Sequence, residues 1–191
     1  LYLSLLSRPD VSFAVGVLTR FMSCAGPLHM KAIDRVISYL FSTRHLGVQF
    51  RRGCSRTVPL AFSSRPTSGG GKAKSDVDPL SKDPYNYADA DFAGDVGTRR
   101  STNGGCTLLH GGVVSWLSKL QPTVALSTAE AETNAAVEAV KSIVHTRLLM
   151  RELGRGPSGP TELYEDNAPA IAMVDADGNL NRRKHFQLKV H

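Results

Sequence analysis

Two runs of helical periodicity open the chain. Apolar residues recur at helical spacing after Ser12, at positions 13, 17, 18 and 21, and again at positions 30, 33, 36, 37 and 40. This spacing places side chains on one face of a helix. We therefore predict two helices, the first capped by Asp10 or Ser12, followed by a short strand over residues 47–50.

Residues 51–83 differ in composition from the segments on either side. They are rich in Ser, Pro, Gly and Lys, centred on residues 68–72. Such a segment cannot bury enough apolar surface to offset the entropy of ordering it. The sequence predicts a flexible linker here, between a first segment of residues 1–50 and a domain of residues 84–191.

Beyond the linker, apolar and polar residues first alternate with the two-residue period of a strand. Residues 85–89 alternate as a strand does, and residues 106–110 can pair with residues 113–117 across a Gly111-Gly112 turn. These features predict a strand followed by a β-hairpin.

After the hairpin, the apolar residues again recur at helical spacing. Ser127 and Glu130 have the spacing of a capping box, and the predicted helix runs to Arg151 before Gly154. We expect a stripe on this helix to face the sheet, made of Ala136, Ala139, Val140, Ile143 and Val144. A strand over residues 161–165 and a helix capped by Asn167 follow. This order predicts an α/β domain with a mixed sheet flanked by helices.

Charge bears on the partners of the chain more than on its fold. The net charge is +6, and residues 1–83 hold twelve Lys and Arg against five Asp and Glu, whereas residues 84–191 hold eleven against twelve. A basic surface attracts phosphate backbones without reading their sequence. On charge alone, a basic face without any partner is an equally good interpretation.

The sequence also predicts the compartment. No apolar run approaches the roughly 20 residues that cross a bilayer, and the first residues lack the basic leader of a signal peptide. The three cysteines, Cys24, Cys54 and Cys106, are odd in number and lack paired metal-ligand spacing. We expect a soluble intracellular protein with reduced thiols and no membrane contact. The chain also looks like a fragment, since it starts without Met.

Three carboxylates fall where chemistry is possible. Asp89 and Asp166 each lie at the end of a predicted strand, the edge at which α/β sheets place reactive groups. Glu132 heads the helical stripe, whereas Glu130 and Glu138 fall off it. Clustered carboxylates repel one another unless cations neutralise them, and Mg²⁺ prefers such oxygen ligands. Spacing alone leaves open the alternative of surface and capping residues.

Six strings in order carry a resemblance to a known family. They are residues 87–95 (YADADFAGD), 100–104 (RSTNG), 114–119 (VSWLSK), 121–132 (QPTVALSTAEAE), 163–167 (LYEDN) and 183–185 (RKH). Over most of residues 84–191 they resemble the RNase H domain of copia-type retrotransposon Pol polyproteins. Residues 7–16 and the helix to Leu40 resemble the segment after the reverse-transcriptase palm. The paired-aspartate motif of the polymerase is absent, so we do not expect DNA synthesis.

The resemblance implies an RNase H-like fold, truncated at its C-terminus and preceded by a small helical segment from the end of reverse transcriptase. It implies that Asp89, Glu132 and Asp166 are catalytic carboxylates that bind Mg²⁺ or Mn²⁺, two ions in all, without a small-molecule cofactor. The implied activity is endonucleolytic hydrolysis of the RNA strand of an RNA–DNA hybrid during reverse transcription. The implied partners are the hybrid and the remainder of the Pol polyprotein, in a cytoplasmic virus-like particle.

The sequence departs from the family pattern at two places. The family carries a fourth carboxylate, but Gln187 stands at one of its positions, and the other would lie beyond His191. Thr133 and Asn134 replace an aromatic and an aliphatic residue, which predicts weaker packing beside Glu132. These departures leave an alternative, a catalytically inactive RNase H-fold module from a decayed element that binds nucleic acid without cutting it. A transposase or integrase core is disfavoured, because no zinc-binding His/Cys element accompanies the strings.

Other residues bear on nucleic-acid binding. The resemblance and the charge of Arg182, Arg183 and Lys184 suggest phosphate contacts, and His185 would orient product or phosphate, with a solvated basic surface as the alternative. Trp116 would either stack on nucleic acid or belong to the core, and its place in a hairpin strand favours the core. Asp91 and Asp95, near Asp89, are expected to serve loop structure.

Overall fold

The computed structural model describes residues 1–50 and 83–175. The predicted linker up to residue 82, Cys54, the basic residues 182–185 and Gln187 lie outside the described residues. The predicted division into segments 1–50, 51–83 and 84–191 stays a prediction. In the described part of the chain, no helix is both long and apolar enough to span a membrane.

The first fifty residues are helical, as predicted. They form α1 (Tyr2–Leu6), a 3₁₀ turn (Pro9–Val11), α2 (Ser12–Thr19) and α3 (Pro27–Ser42). The predicted caps of α2 were wrong, because the carboxylate of Asp10 pairs with Arg8 at 2.7 Å and the hydroxyl of Ser12 donates to the carbonyl of Ser4. The strand predicted over residues 47–50 was also wrong. These residues pair with no strand of the sheet, and the ring of Phe50 lies against Gly112 instead.

A mixed four-stranded sheet forms the centre of the molecule. Its strands are β1 (Tyr85–Asp91), β2 (Thr102–Leu109), β3 (Gly112–Leu120) and β4 (Glu162–Tyr164), in the order β3-β2-β1-β4. The pairs β1–β2 and β2–β3 are antiparallel, and β4 lies parallel to β1. The helix α4 (Thr128–Glu152) connects β3 to β4, and α5 (Ala168–Asp175) follows. The predicted α/β class, with a mixed sheet flanked by helices, is confirmed.

The hairpin turn lies one residue earlier than predicted. Leu109 pairs with Gly112, so the two turn residues are His110 and Gly111, with φ of 51° and 73°. Two successive residues with positive φ match the type I′ turn that joins twisted strands. Gly112 belongs to β3, where a Cβ atom would lie 2.5 Å from the ring of Phe50. Because Gly112 has no side chain, the ring of Phe50 can lie directly against its backbone.

The face of α4 that packs on the sheet is made of small residues. Val140 and Val144 are 46% and 50% exposed, so the predicted stripe was wrong at these positions, although Ile143 is buried. Ala139 is buried, as predicted, and Ala131 and Ala135, which the predicted stripe did not include, are fully buried beside it. Alanines let the helix lie close to β1 and β2, so side-chain size rather than hydrophobicity decided which face is buried. Glu132 lies on this face, as predicted.

The N-terminal segment covers the other face of the sheet. α2 packs on β3, and the indole Nε1 of Trp116 donates to the carbonyl of Ser4 at 2.7 Å. Arg20 pairs with Asp95 in the loop between β1 and β2 at 3.1 Å. Trp116 is half-buried against this segment, so it packs between the sheet and the N-terminal helices instead of lying fully in the core as predicted. The sheet thus lies between α4 and the N-terminal helices. Cys24 and Cys106 are free thiols, as expected.

Candidate metal centre

Three separate elements bring the predicted carboxylates to one end of the sheet. Asp89 lies in β1, Asp166 lies two residues after the end of β4, and Glu132 lies near the start of α4. Tyr87 is paired with Tyr164 in the parallel register of β1 and β4. Asp89 and Asp166 each lie two residues beyond this pair, so the two chains place them side by side.

The side chains of these three residues converge. Asp89, Glu132 and Asp166 each offer a carboxylate oxygen, and the three oxygens lie within 4.8 Å of one another. Ligands at about 2.1 Å from one Mg²⁺ are at most about 4.2 Å apart, so a movement of about half an ångström would seat all three on one ion. Asp89 and Asp166 are exposed, whereas Glu132 is only 8% exposed. Their role as metal ligands stays a prediction.

Glu132 carries the electrostatic cost of this arrangement. Its Oε2 atom is buried and has no hydrogen-bond partner. Burial raises the pKa of Glu132 to about 7, together with the negative charges of Glu165, Asp89 and Asp166, although a hydrogen bond from the Ala90 amide opposes the shift. Buried polar atoms in native proteins are nearly always paired. An unpaired carboxylate oxygen at an acidic cluster therefore points to a cation.

A fourth carboxylate, Glu165, stands directly before Asp166 in the chain and was missed by the sequence analysis. Its Oε1 accepts from the amide of Asn167 at 3.2 Å, and its Oε2 is buried without a partner. Burial raises the pKa of Glu165, helped by the charges of Asp166 and Asp89. The signal was present, since an acidic residue stands directly beside Asp166, but strand alternation alone directs neighbouring side chains to opposite faces.

Of the two acidic residues that were expected to serve loop structure, Asp95 does so, whereas this role of Asp91 stays a prediction. Asp95 accepts from the amide of Gly97 at 3.0 Å and also pairs with Arg20, which confirms its role in the loop. The carboxylate of Asp91 lies against Gly94, where a Cβ atom would be 1.9 Å from it. This contact leaves no room for a side chain at residue 94.

The capping function predicted for the start of α4 is confirmed. The hydroxyl of Ser127 accepts from the amide of Glu130 at 3.1 Å. The carboxylate of Glu130 accepts from the amide of Leu126 at 2.8 Å, one residue earlier than in the usual capping box. Glu138 pairs with Lys141 on the surface of the helix, also off the sheet face.

A buried glutamine holds the first turns of α4 in place. Gln121 has no exposed surface, and its Nε2 donates to Oδ1 of Asn103 in β2 at 2.5 Å and to the carbonyl of Ala131 at 2.9 Å. Its Oε1 accepts from Asn134 at 3.3 Å. Thr133 donates to the carbonyl of Ala129 at 2.7 Å. The two polar residues that depart from the family pattern are therefore hydrogen-bonded, and Gln121 ties the helix to the sheet beside Glu132.

A cleft adjoins the cluster at Asp89. It has a volume of about 400 Å³ and opens between the N-terminal segment and the face of the sheet opposite α4. Pro9 and Phe13 line one wall, while Asp89, Asp91 and Trp116 belong to the sheet side. The exposed Asp89 therefore faces a space that is bounded by both parts of the chain.

The fold and the site define a class: an α/β protein with a carboxylate cluster at one end of a mixed sheet. The chain is 42% identical over 145 residues to the secreted RxLR effector protein 161 of Plasmopara viticola. These residues are 75% of the chain and 83% of that protein. It is 32% identical over 191 residues to the retrovirus-related Pol polyprotein from transposon TNT 1-94 of Nicotiana tabacum, covering 100% of the chain and 12% of that protein.

A similar polyprotein from transposon RE1 of Arabidopsis thaliana is 29% identical over 185 residues, which are 97% of the chain and 11% of that protein. No family model matches the chain, and no solved structure gives a significant match. The chain belongs to the family of copia-type retrotransposon Pol polyproteins. It spans only about an eighth of the length of the tobacco polyprotein that it matches, 12%.

Proposed function

We propose that this chain is the RNase H part of a retrotransposon Pol polyprotein and hydrolyses the RNA strand of RNA–DNA hybrids with divalent metal ions. The observation that carries the proposal is the convergence of Asp89, Glu132 and Asp166, with oxygens within 4.8 Å of one another and a buried, unpartnered oxygen on Glu132. Membership of the Pol family supports the retrotransposon context. The mixed sheet with a helix crossing from β3 to β4 supports the RNase H-like fold that the six strings imply.

The donor set suits a hard divalent cation. Carboxylate oxygens are the ligands that Mg²⁺ and Mn²⁺ prefer, and within residues 1–50 and 83–175 the cluster contains neither thiolate nor imidazole. Asp89, Glu132 and Asp166 would hold the ions. Divalent ions bound in this way supply an activated water and stabilise the leaving oxygen in phosphate hydrolysis.

The residues of the chain contribute position and charge. Asp89 and Asp166 are exposed, so they lie where a phosphate of the substrate backbone can approach. Glu132 is buried behind them and holds its position through α4, which Gln121 ties to the sheet. Without cations, the carboxylates repel a phosphate backbone. Bound metal ions would offset this repulsion, so we expect binding of the hybrid near the site to depend on metal.

The proposal is tested by incubating the purified chain with a hybrid labelled on the RNA strand, with Mg²⁺, Mn²⁺ or chelator. We expect RNA cleavage only with metal, reduced about a hundredfold or more in Asp166→Asn and Asp89→Asn, since each loses a charged ligand. The control is Asp34→Asn, an equivalent change at an exposed position in α3. Circular dichroism establishes that each variant is folded.

The opposite result is equally definite. A folded wild-type chain that binds hybrid in Mg²⁺ and Mn²⁺ but cuts neither strand would overturn the proposed activity. It would favour the inactive binding module. Cleavage that survives both substitutions would place the chemistry elsewhere.

A further inference from the structure

Glu165 has no assigned role, although it lies within the acidic cluster. It is half-buried at the end of β4, where Oε1 accepts from the amide of Asn167 and Oε2 is buried without a hydrogen-bond partner. A surface or capping carboxylate would have both oxygens in water or paired. Burying the second oxygen of Glu165 without a hydrogen bond costs free energy, and the hydrogen bond at the strand end does not compensate for it.

The unpartnered oxygens of Glu165 and Glu132 belong to one site. Glu132 is more than nine-tenths buried, and its Oε2 is also unpaired. Among the charges that act on Glu132, that of Glu165 has a larger effect than those of Asp89 and Asp166. Coulomb interactions weaken with distance and with exposure to water.

The strand register agrees with this order, since Tyr164 pairs with Tyr87 and Glu165 therefore follows β4 beside Ala88. Ala90, two residues further along β1, packs with Ala131 and Ala135 on either side of Glu132. Glu165 thus stands at the edge of the face of β1 that α4 covers.

No basic side chain neutralises this pair in the part of the chain that the structure describes. The ion pairs there join Arg8 with Asp10, Arg20 with Asp95, and Lys141 with Glu138. Asp89, Glu132, Glu165 and Asp166 together carry four negative charges when ionised. One divalent ion would balance only half of them, whereas two would balance them all.

We propose that Glu165 is a fourth carboxylate of the metal centre and, with Glu132, helps to hold a second divalent ion. The inference rests on the proposed function, since it concerns the same site. It gives this chain a fourth carboxylate within the described residues, at a position different from those that the family resemblance indicates. The amide of Asn167 holds Oε1, which leaves the buried Oε2 available to an ion.

Manganese binding tests this inference without any measurement of activity. The full chain, Glu165→Gln and Asp166→Asn are titrated with Mn²⁺, followed by calorimetry and by the electron paramagnetic resonance of free Mn²⁺. The control is Glu152→Gln, at the exposed end of α4. We expect two ions in the wild type and the control. In Glu165→Gln, we expect one ion, or a second ion weakened about tenfold or more.

A second readout separates a ligand from a structural residue. Glutamine can still accept from the Asn167 amide, but it no longer repels Glu132. The metal-free Glu165→Gln chain should therefore melt at a higher temperature than the wild type at pH 8, and it should gain less on addition of Mn²⁺. An acid that only orders the strand end would show neither change.

The outcomes distinguish this inference from the proposed function. If the wild type binds Mn²⁺ and Asp166→Asn loses it, but Glu165→Gln keeps two ions with unchanged affinity, then Glu165 is not a ligand and the three-carboxylate site stands. If the folded wild type binds no Mn²⁺, both proposals fail.

Discussion

At the scale of single residues, Glu132 links the stability of the chain to its ligand. The pKa of this carboxyl is raised from 4.5 to about 7 in the folded chain, chiefly by burial. A raised pKa means that the folded chain holds the proton more tightly than the unfolded chain does. The resulting contribution to the free energy of unfolding is fully present below about pH 4.5, and it is lost as the pH rises through about 7.

Replacing Glu132 with Gln should remove this pH dependence. We expect the metal-free wild type to lose on the order of 2 kcal/mol relative to Glu132→Gln between pH 5 and pH 8, since ionisation of the buried group is unfavourable. Urea denaturation at several pH values measures the difference, and Glu152→Gln is the exposed control. Parallel curves for wild type and Glu132→Gln would show that Glu132 ionises as freely when folded as when unfolded.

Three of the carboxylates near the site could be predicted from the sequence, and one could not. Asp89, Glu132 and Asp166 were identified from strand ends, helical spacing and the family strings, and the structure brings all three together. Glu165 was not identified, because on a strand the side chains of neighbouring residues normally lie on opposite faces of the sheet, and Asp166 was already placed at the site. The strand β4 ends at Tyr164, so alternation no longer governs the residues that follow.

At the scale of elements, α4 decides the depth at which Glu132 lies. Capping by Ser127 and the buried contacts of Gln121 determine where the helix begins relative to the sheet. The alanines on its inner face determine how closely it approaches β1 and β2. The start of α4 was readable from sequence, since its cap depends on local spacing, whereas the caps predicted for α2 were wrong. The buried face was only half predicted, because hydrophobic ranking favours Val over Ala, whereas close contact with a sheet favours the smaller residue.

Gln121→Leu tests the polar anchor of this helix. The substitution preserves size but leaves the buried Oδ1 of Asn103 without its donor, and it removes the contact to Ala131. We expect a loss of about 2–3 kcal/mol in the free energy of unfolding. The control is Gln49→Leu, at an exposed position. Chemical denaturation measures both, and a loss under about 0.5 kcal/mol at Gln121 would mean that these hydrogen bonds do not anchor α4.

At the scale of the whole molecule, the sheet is covered on both faces, and the second cover comes from the N-terminal segment. Trp116 reaches from β3 to the carbonyl of Ser4, and Arg20 reaches from α2 to Asp95 in the loop after β1. The same segment forms one wall of the cleft that contains Asp89. A segment that sequence pattern separates from the domain by more than thirty residues thus becomes part of the surroundings of the site.

Trp116→Phe tests this attachment. The ring remains, but the hydrogen bond to Ser4 is lost, so we expect a cost of about 1 kcal/mol and faster amide hydrogen exchange in α1 and α2. Tyr2→Phe, which changes an exposed ring in the same segment, is the control. Exchange rates that are unchanged in Trp116→Phe would show that the segment is held by other contacts.

The sequence by itself determined most of the periodic elements, the α/β class and the three carboxylates Asp89, Glu132 and Asp166. The elements and the class follow from local spacing, which an isolated stretch of chain already carries, and the carboxylates from spacing together with the family strings. Tertiary structure alone decided that these carboxylates converge within 4.8 Å, that Ala131 and Ala135 rather than the valines lie on the inner face of α4, and that residues 1–50 cover the sheet. Those outcomes depend on distances between segments far apart in sequence, and such distances are set only when the elements pack together.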